Sequence, residues 1–250
     1  MTRAVVLEFR KMRRLHTGPI VGLLVIAVAA LSSMSSFSAG TRETFDDPSA
    51  SPWAALLLSY TMMAAMTSPI LTAVLASRQT DIEHAGAGWT LAATAGFPPG
   101  TLCRAKIVAL SLVLLPAVGL QSLLVIGAGA AAGIRVPLDP GPWIGYTALL
   151  LLVDVAFLAL HVWLAATVEN QLVSVGVGML GAFLAASTVL APGTVSRLIP
   201  WGYYAVIAHA AQNDAGVAYL TPPYAWIAAF LILVGAVYGF ATRRLDKIER

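Results

Sequence analysis

SRQTDIEHAGAGWTLAATAGFPPGTLCRAK, residues 77–106, is a polar island set between two long apolar segments. It carries Arg78, Asp81, Glu83, His84, Arg104 and Lys106, groups that hydrocarbon excludes, so a chain that crosses a bilayer must leave it here. Trp89, Leu91, Ala92, Ala93 and Phe97 are nevertheless too apolar for a loop immersed in water, and the mixture predicts a short helix lying against something. Thr80 with Glu83 three residues on fits a capping box at a helix start. Pro98, Pro99 and Gly100 predict where that helix stops, and Thr101 a cap on the next segment. The same pattern also describes a capped turn joining two membrane helices.

Composition fixes the class. Of the 250 residues 58% are hydrophobic and 11% charged, whereas roughly a quarter are charged in water-soluble domains. Mean hydropathy is +0.81. The chain is expected to be an all-α polytopic membrane protein. Its net charge of +3 comes from basic residues beside apolar spans, the pattern of membrane orientation rather than of nucleic-acid binding. Cys103 is the only cysteine, so an intrachain disulfide and a cysteine metal cluster are excluded.

Six segments approach the roughly 20 residues a bilayer requires. They are Pro19–Phe37, Trp53–Ala76, Ile107–Ile134, Trp143–Val168, Leu172–Leu190 and Tyr224–Thr242. With both termini on one side, that side holds Arg3, Arg10, Lys11, Arg13, Arg14, Arg78, Arg104, Lys106, Arg243, Arg244, Lys247 and Arg250, against Arg42, Arg135 and Arg197 on the other. Twelve against three predicts cytoplasmic termini and a cytoplasmic island in a plasma-membrane protein. Pro52-Trp53, Pro142-Trp143 and Pro223-Tyr224 agree: each opens a span from the outside, where proline suits a first helical turn and the ring suits the headgroup layer.

Before the first span, Val5, Phe9 and Met12 recur at helical spacing with Arg3, Arg10 and Arg14 opposite, so residues 1–18 read as an amphipathic leader on an anionic membrane face. The rival reading is a secretory signal, for which the basic region is long. Residues 1–250 form one membrane domain, with no repeat and no linker to a soluble domain. The outer segment 191–223 contains LIPWGYYAVIAHAAQ, Leu198–Gln212, too short to span and too aromatic for a plain loop. It reads either as a re-entrant or interfacial hairpin or as an external loop anchored by Trp201, Tyr203 and Tyr204.

Within the spans, Asp154 lies near the midplane, where an acid is costly unless paired or hydrated. It is expected either to be protonated and hydrogen-bonded to a neighbouring helix or to serve substrate or protons. His161 shares its face seven residues on, but about 10 Å along the axis, beyond direct bonding. Met62, Met63 and Met66 suit a surface that accepts varied apolar ligands, and equally the filling of gaps between helices. Gly129 and Gly133 form a GxxxG that permits close helix approach. There is no GxxxxGK[ST], no HExxH and no GxSxG, so the sequence offers neither a P-loop nor a defensible catalytic set.

The leader ending FRKMRRLHTGP, six spans with both ends inside, and an island of the form RQ-x-D-I-E-H-x-G-x-G-W-T-L-A-A-T-A-G-x-P-P-G-x-L-C-R-A-K together resemble a bacterial ABC transporter permease of the type-2 exporter class, near the lantibiotic and bacitracin-type immunity permeases. The resemblance covers essentially the whole chain. It implies that the island is a coupling helix docking on a separate ATPase, with Glu83, His84, Trp89, Leu91 and Arg104 as the coupling residues. It also implies re-entrant helices between the last two spans. Asp154 departs from the pattern, being more polar than that position usually needs. The function expected is the permease half of an ATP-driven exporter of peptide antibiotics or other amphiphiles, with Met62, Met63, Met66, Asp154 and His161 on the candidate path. No cofactor is expected in this chain; ATP and Mg belong to the partner. The partners implied are two ATPase copies, a second permease copy or sister permease, and the bilayer. A non-transporting scaffold or sensor-associated protein is the alternative from another class. An intramembrane enzyme using Asp154 and His161 would need a further acid or metal set that the sequence lacks.

Overall fold

The computed structural model describes residues 2–214 and 216–247. Ala215 of the outer segment, Met1 of the leader and Arg250 of the inner charges lie outside the described residues. In chain order the helices are α1 (Thr2–Arg14), α2 (Thr17–Ser33, continued by a 3-10 turn to Phe37), α3 (Ala39–Arg42), α4 (Pro52–Ala85), α5 (Gly88–Thr94) and α6 (Pro99–Ala132). There follow α7 (Pro140–Thr167), α8 (Gln171–Val189), α9 (Gly193–Leu198), α10 (Tyr203–Val206) and α11 (Tyr224–Leu245). A hairpin of β1 (Ala210–Asn213) and β2 (Gly216–Tyr219), paired antiparallel with Ala210 opposite Tyr219, precedes α11.

Six of these helices, α2, α4, α6, α7, α8 and α11, are long and apolar enough to cross a membrane, which makes the chain an all-α multi-pass membrane protein. Large apolar side chains such as Leu23, Ile26, Leu123, Phe183, Ile232 and Phe240 are exposed along them, the surface a bilayer covers. The long α4 sits at the centre, against α2, α7 and α8. Small residues set its contact with α8: a Cβ added at Gly178 would meet Ala73 Cβ at 2.5 Å and the Pro69 carbonyl at 2.9 Å. On the other side, a Cβ at Gly129 of α6 would meet Leu56 at 2.6 Å and Trp53 at 2.8 Å. The GxxxG expectation is therefore met at one glycine only. Gly133 is the left-handed C-cap of α6, with φ 106°, and ends the helix instead of packing it.

The bundle has two unlike ends. One, the basic end, gathers α1, α5, the start of α6 and the last turns of α11. The other, the aromatic end, gathers α3, the start of α7 and the segment 191–223. Two of the three Pro-aromatic pairs behave differently from the headgroup anchors expected. Trp53 and Trp143 are buried inside the protein, edge to face at 6.4 Å, and Trp53 Nε1 donates to the Val136 carbonyl at 2.7 Å. An indole with a protein acceptor and a ring partner has no need of the interface. Only Tyr224 is exposed as expected.

Candidate functional site at the basic end of the bundle

The apolar run of α4 stops at Ala76, yet the helix continues for two and a half turns because its polar residues are covered by protein. Gln79, Thr80 and Glu83 are buried, on the face that meets α1 and α6. Ala4, Glu8 and Met12, four residues apart, form the buried face of α1. From α6 comes Lys106, wholly buried. All three of its ammonium protons are used, toward Glu8 Oε2, the Gln79 carbonyl and Glu83 Oε1, each at 2.8 Å. Gln79 Nε2 donates to the same Glu8 Oε2 at 2.7 Å, and Lys11 donates to Glu8 Oε1 at 2.7 Å and to Glu83 Oε1. Two ammonium groups and two carboxylates thus neutralise one another where a lone charge would be prohibitive. Burial alone would depress the Lys11 pKa, but the bonds to Glu8 and Glu83 outweigh it and hold it above the ordinary lysine value of 10.5.

This arrangement corrects the capping-box expectation. Thr80 and Glu83 lie inside α4, and Glu83 turns to the lysines instead of to a free backbone amide. Gly86 and Ala87 break the helix, Ala87 in the left-handed region at φ 52°, and α5 starts at Gly88. Gly88 is required by contact: a Cβ there would lie 2.4 Å from Glu83 Oε2 and 2.8 Å from Glu83 Cα. The short helix is therefore seated directly on the ion cluster. Trp89 anchors it, buried among Met12, Leu75, Leu102 and Leu245. Its Nε1 donates to His84 Nδ1 at 3.3 Å, which leaves the imidazole proton on Nε2 to donate to the Ala165 carbonyl at 2.8 Å. Facing away from the bundle are Thr90, Leu91, Ala93, Thr94, Ala95 and Gly96, with Leu91 65% exposed.

The end of this island differs too. Pro99 opens α6 as its first residue, and the cap on the helix is Asp246, not Thr101. Asp246 Oδ1 accepts from the Thr101 amide at 3.0 Å and Oδ2 from Arg104 at 2.8 Å. Arg104 also donates to Thr101 Oγ1 and Thr242 Oγ1. A carboxylate at a helix N-terminus meets free amides and the positive end of the helix dipole. Gly100 permits the approach, since a Cβ there would meet the Thr242 carbonyl at 1.9 Å.

Of the five residues singled out here from sequence, Glu83, His84 and Trp89 bind inward, Arg104 ties α6 to α11, and Leu91 projects outward. Glu8, Gln79 and Asp246 were not singled out by sequence reading. The one available signal was Glu8 itself, an acid on the apolar face of a basic helix.

The candidate path residues fall elsewhere. Asp154 is wholly buried and accepts from Tyr204 at 2.9 Å, with the Ser68 hydroxyl beside the same carboxyl. His161 Nδ1 pairs with Ser174 Oγ at 3.1 Å, so Asp154 and His161 serve different helices. Met62 and Met63 line a cleft against Met34 and Ser35, and Met66 is 47% exposed. Tyr204, expected as an interfacial anchor, is buried and carries the segment 191–223 down to a mid-helix acid. Among the described residues no group of three or more His, Cys, Asp or Glu could hold a metal ion.

A family model described as ABC-2 family transporter protein matches residues 4–185, from the first turn of α1 to the last turn of α8. No curated protein matches the chain.

Proposed function

The chain belongs to the ABC-2 transporter family, and from that premise we propose that it is the membrane-spanning permease of an ATP-driven exporter, with ATP and Mg held by a separate ATPase subunit. The observation that carries this reading is the outward face of α5: a small, smooth, apolar knob centred on Leu91 and seated on the Glu8–Lys11–Glu83–Lys106 cluster. A projecting leucine flanked by threonine and alanine fits a groove on a partner, and the buried ion pairs beneath pass its displacement to α1, α4 and α6 together. Glu83, His84, Trp89 and Arg104 then act as positioning residues behind Leu91. The basic end faces the cytoplasm by its charge excess. Two ATPase copies serve a pair of permeases, either two copies of this chain or this chain and a sister.

The cargo we assign is amphiphilic, peptide antibiotics of the lantibiotic or bacitracin kind among the candidates. Support comes from the methionine-lined cleft beside α4 and from the inward-dipping segment 191–223, which we take as re-entrant because Tyr204 reaches Asp154. Since the Leu91 side chain is exposed, Leu91→Asp is expected to leave membrane insertion and thermal stability unchanged. It should reduce co-purification with a P-loop ATPase encoded beside it by about tenfold or more, as loss of a central anchor does. Undiminished association of Leu91→Asp would refute the docking role, and the lack of any ATPase partner for the wild type would favour the scaffold reading.

A further inference from the structure

At the aromatic end a cavity of about 570 Å³ opens between α4, α8 and the segment 191–223. Its floor is apolar, with Leu58 and Met62 of α4 and Val206 of α10. Counted from Pro52, Leu58 and Met62 lie about 9 and 15 Å into the helix, so the floor lies well inside the bundle. Its mouth is polar, with the half-buried Arg197 and the exposed Thr221 among the lining residues, and among the described residues no carboxylate lines it.

Arg197 is the unusual member. Of the aromatic end's three cations, Arg135 is mostly exposed beside Asp46 and Arg42 lies over Phe37 away from this cavity. Arg197 is half-buried at the cavity mouth, with its guanidinium carbon 5.7 Å from the Trp226 ring centroid. Among the described residues it forms no ion pair. The Trp226 ring supports the cation, and with no carboxylate paired to it the guanidinium keeps N–H donors for a phosphate or carboxylate, which it can bind in bidentate fashion. A cation at the mouth and a thioether and leucine at the floor are ordered as the parts of an amphiphile are ordered.

We propose that this cavity binds an acidic amphiphile, its anionic headgroup on Arg197 and its chain over Leu58 and Met62. As the substrate class of an exporter the assignment rests on the function proposed above, but binding itself requires only this chain. The cavity selects by charge: it accepts a phosphorylated or carboxylated amphiphile, from the bilayer or as cargo, and gives a cationic amphiphile no counter-charge.

The test is titration calorimetry on the full chain purified in an uncharged maltoside detergent, with dodecyl phosphate as probe. Wild type should bind one dodecyl phosphate per chain, and dodecyltrimethylammonium or inorganic phosphate much more weakly. Arg197→Gln should weaken dodecyl phosphate about tenfold or more, Arg197→Lys less, and Arg135→Gln not at all. Met62→Trp, which fills the floor without touching the charge, should weaken it as well and keeps the proposal testable if Arg197→Gln fails to fold. Displacement of the probe by short-chain phosphatidylglycerol at equal mole fraction would identify a lipid as the source of the headgroup, and its absence a cargo amphiphile; either accords with the proposal. Equal affinity in wild type and Arg197→Gln, or for the phosphate and ammonium amphiphiles, would overturn it, as would inorganic phosphate binding as tightly as dodecyl phosphate. Because no ATPase is present, a negative result leaves the Leu91 docking experiment unaffected.

Discussion

At the basic end, α1, α4 and α6 are held by Lys106 and Lys11 bonded to Glu8 and Glu83; at the aromatic end, α4 and α7 are held by rings, Tyr60 stacked 6.4 Å from Trp143 and edge-on 5.3 Å from Tyr146. Around Phe157 the aromatic end continues with Trp201 at 5.6 Å, Tyr204 at 5.3 Å and Phe230 at 6.1 Å. Ion pairs buried away from water are directional and fail sharply when one partner goes. Ring contacts and thioethers tolerate sliding and repacking. The difference teaches which end can transmit a displacement as a rigid unit and which can change shape around a ligand.

The largest expected effect comes from breaking the rigid end. Lys106→Met leaves Glu8 and Glu83 with Lys11 alone, and removing one partner from a buried pair costs about 3–5 kcal/mol. Thermal unfolding in detergent should show that loss, and the triple variant Glu8→Gln, Glu83→Gln, Lys106→Met should be more stable than Lys106→Met alone. A triple variant less stable than the single one would mean that the charges are not what holds the three helices.

Next come the glycine contacts, one at each end. Gly100→Ala drives a methyl into the Thr242 backbone carbonyl, and Gly181→Ala drives one into the Trp201 indole, 2.1 Å from Nε1. Overpacking of this kind costs roughly 1–3 kcal/mol. A side chain can rotate away and a backbone carbonyl cannot, so Gly100→Ala should be the more destabilising of the two in the same unfolding assay. The reverse order would contradict the rigid-and-adaptable comparison.

The smallest effect concerns Asp154. Asparagine keeps an oxygen to accept from Tyr204, so Asp154→Asn should retain the proposed export and lose little stability, while Tyr204→Phe removes the hydrogen bond to Asp154, worth about 1 kcal/mol. Resistance conferred on a sensitive host by wild type and Asp154→Glu, but abolished in Asp154→Asn at equal membrane abundance, would instead give Asp154 a charge or proton role.

The six spans were legible because hydropathy records contact with lipid, and lipid contact is what fixes them. Hydropathy does not record where a helix ends. The run Trp53–Ala76 lies within a helix that extends from Pro52 to Ala85, its last turns covered by α1 and α6 and so invisible to an apolar count. The capping box at Thr80 and Glu83 was a sound local signal overridden by two lysines, one of them 72 residues away. Asp246 could not be found as the cap of α6 from a position 145 residues downstream. Trp89 and Leu91, two residues apart, read alike in sequence, and only the fold separates the buried anchor from the exposed knob. The hairpin β1–β2 lacked any signal, since AAQN and GVAY carry neither alternation nor length.

The most direct test of the central claim is site-specific cross-linking in the Cys103→Ser background, with single cysteines at Leu91 on the basic end and Asn213 on the aromatic end. The account predicts that Leu91→Cys cross-links to the ATPase subunit and is protected from an impermeant thiol reagent in intact cells, while Asn213→Cys reacts with the reagent and never reaches the ATPase. An ATPase cross-link at Asn213, or labelling of Leu91→Cys from outside, would contradict it.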